Sequence, residues 1–252
     1  MILKTKEEIE KIRQAGKILA QVAKTILAQV EVGVNLKSLD RLAKELITKA
    51  GGSPAFLNYR PYGADKPYAF SICTSLNEVV VHGTPKDYKL KNGDILKLDF
   101  GVDYQGYKAD AAWTIGVGQI SERAQKLLRV TEKALFDGIK AANIDKHLGD
   151  IGHAISDTVK QHGFSVVDGL TGHGVGKELH EDPSVFNEGK KGSGPVLKEG
   201  LVIAIEPMVS IGSPSIIQTK DEAYATADGS LSAHFEHTIA LTENGTEILT
   251  LI

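Results

Sequence analysis

Leu39-Asp40-Arg41-Leu42-Ala43-Lys44-Glu45-Leu46 and Leu148-Gly149-Asp150-Ile151-Gly152-His153-Ala154-Ile155 carry their aliphatic residues at the same positions under one constant offset. Spacings of three and four residues line up on one face of a helix. Each stretch is the second helix of a predicted pair. In the first pair, Thr5 and Glu8 form a capping box. Behind it Ile9, Ile12, Ala15, Ile18, Leu19, Val22, Ala23, Ile26 and Leu27 form an apolar stripe, and the second helix stops at Gly51-Gly52. The pattern restarts at Ser121, where Leu127, Leu128, Val130, Ala134, Leu135 and Ile139 mark a helix to about Ala142. Another helix follows from about Asp145 and ends near Gly163. Strand-rich sequence follows both pairs, including Ser71-Ile72-Cys73-Thr74 and Val79-Val80-Val81. The reading is an α+β duplication. A single domain, 1–252, consists of two pseudo-symmetric halves, about 1–118 and 119–252, each with two helices covering antiparallel strands. The natural place for a site is the seam between them.

Composition narrows the function. A chain of 252 residues can bury a large core, and 24% charged residues is ordinary for a soluble protein. The net charge of -3 and the lack of a basic run speak against nucleic-acid readout. Neither a signal-peptide core nor a long uncharged apolar run is visible, so a cytoplasmic protein without a membrane span is expected. Cys73 is the only cysteine, which excludes intrachain disulfides and thiolate zinc clusters.

The segment Asn92 to Trp113 reads as a hairpin with turn chemistry over Asp103-Tyr104-Gln105-Gly106. Folded about the Tyr104–Gln105 bond, it sets Asp99 directly opposite Asp110; a glycine bulge would make them diagonal neighbours. Hairpin aspartates often face solvent. Here Leu98, Phe100, Ala109 and Ala111 flank them, which favours a buried pair, and like charges so placed are tolerable around a cation.

His173 sits in Gly172-His173-Gly174-Val175-Gly176. No buried strand precedes it and no helix follows, against a dinucleotide loop. Gly200 to Ile205 reads as a buried strand ending in Glu206, where an unpaired carboxylate would be costly. Alternation along Ala233 to Leu241 puts His234, Glu236 and Thr238 on one face, with Phe235, Ile239 and Leu241 on the other beside His237. Each acid alone could be a satisfied core group. Four carboxylates and one imidazole together suit Mn, Fe or Co, with Zn possible. Their charge calls for two ions rather than one.

These residues in this order resemble type I methionine aminopeptidase over essentially the whole chain. The resemblance is carried by Thr74-Ser75-Leu76-Asn77-Glu78-Val79-Val80-Val81-His82-Gly83-Thr84-Pro85 and the Asp99/Asp110 hairpin. Gly172 to Gly176 leading to His180-Glu181, Ile205-Glu206-Pro207-Met208, and Ser230 to Thr238 complete it. It implies the pita-bread fold and removal of the initiator methionine from nascent proteins by metal-activated water. Two divalent metals (Co, Mn, Fe or Zn) are implied, Asp99 chelating one, His173 with Glu206 the other, and Asp110 and Glu236 bridging. Glu206 is then the general base, His180 a partner of the scissile carbonyl, and His82 a contact to the peptide nitrogen beyond it. Metals that hold a free α-amino group make such an enzyme an aminopeptidase. A monovalent cation near Asn77, Val79 and Ser232 is also implied, as is a monomer meeting nascent N-termini in transient association with the ribosome. The absence of a long insertion between Glu206 and Glu236 favours type I over type II.

Three departures fall near the substrate pocket. Arg60 to Lys66 reads as an insertion, Leu179 stands where bacterial relatives usually have Phe, and Glu222 to Tyr224 replaces a stretch that normally supplies a Trp. Phe56, Tyr59, Tyr68 and Cys73 remain as expected pocket walls. Prolidases and Xaa-Pro aminopeptidases share the fold and metal set but normally carry a large extra N-terminal domain. A non-catalytic binding module would be expected to have lost ligands.

Overall fold

The computed structural model describes residues 1–60 and 65–252. Helices α1 (Lys6–Leu27) and α2 (Leu36–Lys49) come first. They are followed by β1 (Ser53–Pro54), β2 (Ile72–Leu76), β3 (Val79–Val81), β4 (Ile95–Tyr104) and β5 (Tyr107–Gly116). Helices α3 (Glu122–Ala141) and α4 (Leu148–Gln161) open the second run. After them come β6 (Ser165–Val166), β7 (Thr171–Gly174), β8 (Glu181–Phe186), β9 (Val202–Ile205), β10 (Met208–Ser210), β11 (Ile216–Gln218), β12 (Tyr224–Thr226), β13 (Ser232–His234), β14 (Glu236–Thr242) and β15 (Gly245–Ile248).

The helix ends follow local chemistry. Thr5 and Glu8 close the expected capping box, and Ser121 caps α3 by accepting from Ala124 N. Helix α4 begins three residues later than expected. Asp145 has φ 66°, and Asp145, Lys146 and Leu148 exchange backbone hydrogen bonds with Pro195 and Leu197, so 145–147 are committed to that segment instead. Gly51 and Gly163, at φ 83° and 77°, end α2 and α4.

Nine strands form the main sheet, with the path β1-β4-β5-β14-β9-β7-β8 and with β2 added on β4 and β15 on β14. Every described pairing is antiparallel. Two three-stranded sheets, β13-β10-β6 and β11-β12-β3, complete the β structure. The β5–β14 pairing joins strands from before and after α3.

Two cores lie under the helices. In one, Ile12, Leu19 and Ile26 of α1 and Leu39 and Ile47 of α2 pack on Leu98, Phe100 and Val102 of β4. In the other, Leu127 and Leu135 of α3 and Ile151 and Ile155 of α4 pack on Ile203, Ile205 and Ile239. Trp113 touches both cores. With one core on either side, polar residues of β4, β5, β7 and β14, and Glu206 just after β9, converge between them.

Candidate metal centre and substrate cleft

The hairpin register differs from the expected one. Tyr104 pairs with Tyr107 around a two-residue turn, Gln105-Gly106, both at positive φ. That moves the fold point one residue on, so Asp99 faces Ala112 and Asp110 faces Gly101. The aspartates are diagonal neighbours on one face, through turn placement rather than a bulge. They still share an environment. Burial, followed by the charge on Asp99, raises the pKa of Asp110 well above the carboxylate range, and burial pushes Asp99 up to about 7.

Three further elements bring the remaining residues to the same point. His173 stands at an irregularity in the β7–β8 ladder, between Gly172 and Gly174. Added Cβ atoms there would lie 2.3 Å from the Ala204 carbonyl oxygen and 2.5 Å from that of Asp182, so only glycine permits this approach of backbones. His173 Nε2 lies 3.5 Å from Glu206 Oε1, 3.8 Å from Asp110 Oδ2 and 3.9 Å from Glu236 Oε1. Glu206 follows the last residue of β9 and Glu236 opens β14. Burial pushes Glu206 up to about 7, and burial together with Asp110, Glu206 and Asp99 raises Glu236 well above its ordinary value.

A cation fits this donor set. Asp99 Oδ1, Asp110 Oδ1 and Glu236 Oε1 are buried with no hydrogen-bond partner among the described residues. Ionised acids in such a place are costly without positive charge beside them. Asp110, His173 and Glu236 can direct one donor atom each to a common point, and so can Glu206, His234 and Glu236.

His234, which strand alternation sets on the face of Glu236, joins the cluster as well. Its Nε2 lies 3.2 Å from Glu206 Oε2 and 3.8 Å from Glu236 Oε2. The signal that could have found it was present: a period-two partner of Glu236 shares the environment of that acid.

Through His173 and Glu206 the cluster borders a cleft of about 530 Å³ whose lining also includes His82, His180 and Met208. The His180 ring packs 4.3 Å from that of His173. It is open to the cleft on one side and enclosed by protein on the others; the enclosure, then His173 and His82, lowers its pKa toward the neutral form. Tyr59 Oη lies 2.7 Å from His180 Nδ1. His82 has a left-handed backbone, φ 61°, which is costly for a side chain of this kind and directs the ring into the cleft.

The expected pocket walls also meet. Phe56, Cys73 and Leu179 form a buried cluster with Tyr59 and Tyr68 against it, and Cys73 pairs with Asp99 in the ladder. Tyr224, which the sequence singled out only as a departure, packs its ring 5.8 Å from that of His82. Of the Arg60 to Lys66 insertion, 61–64 lie outside the described residues. The oxygens expected to hold a monovalent cation are already engaged by a side chain. Lys97 Nζ donates to Asn77 O at 2.7 Å and Ser232 O at 3.2 Å.

Comparison with known proteins gives a consistent result. The family described as metallopeptidase family M24 matches residues 10–243. The chain is 48% identical over 254 residues to the methionine aminopeptidase of Clostridium perfringens, covering 100% of this chain and 99% of that protein. The solved methionine aminopeptidase of Thermotoga maritima superposes with a TM-score of 0.95 at 43% identity, with 100% of both chains covered. The prolidase of Pyrococcus furiosus is more distant, with a TM-score of 0.78 and 26% identity. The match covers 100% of this chain and 66% of that one.

Proposed function

The chain belongs to metallopeptidase family M24, and from that premise we propose that it is a methionine aminopeptidase removing the first residue of nascent proteins. The observation that carries the proposal is the convergence of four carboxylates and His173, with buried unpartnered oxygens, beside a cleft that His173, Glu206 and two further histidines line.

Asp99, Asp110, His173, Glu206 and Glu236 would hold two divalent cations, of Mn, Fe, Co or Zn. Bound there, such ions supply Lewis-acid polarisation of a carbonyl and lower the pKa of water. The chain's own groups do the rest. A Glu206 carboxylate oxygen takes a proton from the water whose oxygen attacks the scissile carbonyl carbon. The same proton then passes to the amide nitrogen as the carbon–nitrogen bond breaks. Burial keeps Tyr59 protonated, and the Nε2–H tautomer of His180, which leaves Nδ1 to accept from the Tyr59 O–H, is the one this role requires. That N–H faces the cleft and donates to the carbonyl oxygen as charge develops on it. His82, aimed in by its strained backbone, contacts the next peptide nitrogen. Phe56, Tyr59, Tyr68 and Cys73, with Leu179, wall the space beside Asp99 that receives an unbranched apolar side chain.

A monovalent cation at Asn77, Val79 and Ser232 is not part of the proposal, because Lys97 donates to the Asn77 and Ser232 oxygens and Val79 O accepts from Ser232 Oγ. The two cores support reading 1–252 as one catalytic domain of two halves, about 1–118 and 119–252. The same reading includes a cytoplasmic monomer that meets nascent chains in transient association with the ribosome. No helix among the described residues is long and apolar enough to cross a membrane.

The test is to strip the protein of metal, add back Mn, Fe or Co, and assay Met-Ala-Ser beside Ala-Pro-Ser. Metal-dependent release of Met is expected. Release from the Xaa-Pro peptide alone would move the chain to the prolidase-like members of the family. Release from neither, with metal bound, would refute catalysis.

A further inference from the structure

Lys97 is 1% exposed and sits two residues before Asp99 on β4, so both side chains project from the same face. Its Nζ donates to Asn77 O at 2.7 Å, Ser232 O at 3.2 Å and Ser232 Oγ at 3.3 Å. All three partners are neutral oxygens. Three acceptors match the three N–H donors of the ammonium form, whereas a neutral amine has two. Burial works against the charged form and pushes Lys97 down to about 7 from its ordinary 10.5; the three converging acceptors offset that cost and are what make an ammonium tenable here.

The acceptors come from opposite parts of the chain. Asn77 lies in the turn between β2 and β3, at φ 50°, and Ser232 begins β13. Ser232 N donates to Asn77 O at 3.1 Å, and Ser232 Oγ lies 3.2 Å from Asn77 O and 3.3 Å from Val79 O. Across the ladder from Lys97 is Thr114. Thr114 Oγ1 accepts from His234 N at 2.9 Å and donates to His234 O at 2.6 Å. Two neighbouring side chains of the β4–β5 face therefore grip β13 at Ser232 and His234, immediately before Glu236.

Carbonyl and hydroxyl oxygens converging on one point are also the donor set for a hard monovalent cation such as K⁺. We propose that Lys97 is a tethered cation: its ammonium fills an oxygen-lined cation position between β4 and β13 and fixes Glu236 and His234 in register with Asp99. It is a positioning residue. The protein then needs no free monovalent ion, and deleting the side chain opens a place for one. Only the activity readout depends on the aminopeptidase reading; thermal unfolding tests the ammonium by itself.

The experiment compares wild type, Lys97→Ala and Lys97→Met, all loaded with the same divalent metal. Each is measured in tetramethylammonium, K⁺ or methylammonium chloride at equal ionic strength. Wild type should show the same Tm and kcat in all three. Lys97→Ala should lose about tenfold to hundredfold in kcat in tetramethylammonium, with a smaller change in KM. K⁺ or methylammonium should restore both kcat and Tm saturably. Lys97→Met, neutral and of similar length, should lose kcat and respond to neither ion. A saturable requirement of wild type for K⁺, failure of both ions to raise the Tm of Lys97→Ala, or wild-type kcat in Lys97→Met would overturn the proposal. If Lys97→Ala does not fold, the kcat of Lys97→Met decides. If no peptidase activity exists, the cation-specific Tm of Lys97→Ala decides.

Discussion

Asp99→Asn should stabilise the metal-free protein while abolishing its response to metal. In the fold, burial pushes the Asp99 carboxyl up to about 7 from its ordinary 3.8, with Glu206 adding to the effect and His234 opposing it. An acid whose pKa is raised by folding contributes nothing unfavourable below its unfolded pKa. It costs progressively more as pH rises toward the folded value, and the full penalty is present above that. The difference between 7 and 3.8 corresponds to about 4 kcal/mol at pH 8, at roughly 1.4 kcal/mol per tenfold in proton affinity. Asp99 is only partly shielded from solvent, and screening reduces the figure to about 2 kcal/mol. An uncharged Asn escapes that penalty. For a chain of this length the Tm at pH 8 should rise by about 4–8 °C in chelator, and by roughly 40% of that at pH 5, which still lies above the unfolded pKa. Wild type with divalent metal at a hundred times its Kd should gain about 2.7 kcal/mol, whereas the variant should gain far less. Scanning calorimetry at pH 5 and 8, with chelator or with Mn or Co, reads all four states. A lower Tm for metal-free Asp99→Asn at pH 8, or an undiminished metal-induced rise, would refute the account of the site as repelling carboxylates relieved by a cation.

Three other outcomes follow from particular contacts. His180→Ala removes a donor at the cleft while leaving the carboxylate cluster intact, so steady-state assays should show kcat down by about 10²–10³, with metal uptake by titration calorimetry and Tm nearly unchanged. Lys4 Nζ and Glu181 Oε2 are 2.6 Å apart with side chains 4% and 7% exposed. Lys4→Met should cost about 3–5 kcal/mol in denaturant unfolding because it strands a buried acid. The double variant Lys4→Met/Glu181→Gln should cost clearly less than the sum of the singles. A Cβ at Gly83 would stand 2.4 Å from the Thr74 carbonyl oxygen and 2.8 Å from Ser75 Cα, both backbone. Gly83→Ala should therefore displace the turn that carries His82 and lower kcat/KM by at least tenfold, a change visible before any loss of metal.

What could be read in advance was what repeats or alternates locally. The helix stripes, the capping box at Thr5 and the period-two face of His234, Glu236 and Thr238 all depend on neighbours within a few residues, and the fold keeps them. The hairpin register failed by one turn residue because Asp103 to Gly106 offers two adjacent fold points. The choice between them rests on Gln105 and Gly106 both taking positive φ. The start of α4 failed for a different reason: residues 145–147 are held by a segment fifty positions away. The same holds for Lys97, which alternation sets on the face of Asp99 without showing what its ammonium meets there. Its role exists only because Ser232, 135 positions further on, supplies a carbonyl and a hydroxyl. Local patterns thus identified the acids, while the groups that hold them in place are set by pairings between distant strands. Metal ligands are legible in such a chain because a run of buried acids is costly without a cation and therefore conspicuous. Positioning residues are individually ordinary, and they become visible only once the strands that face them are known.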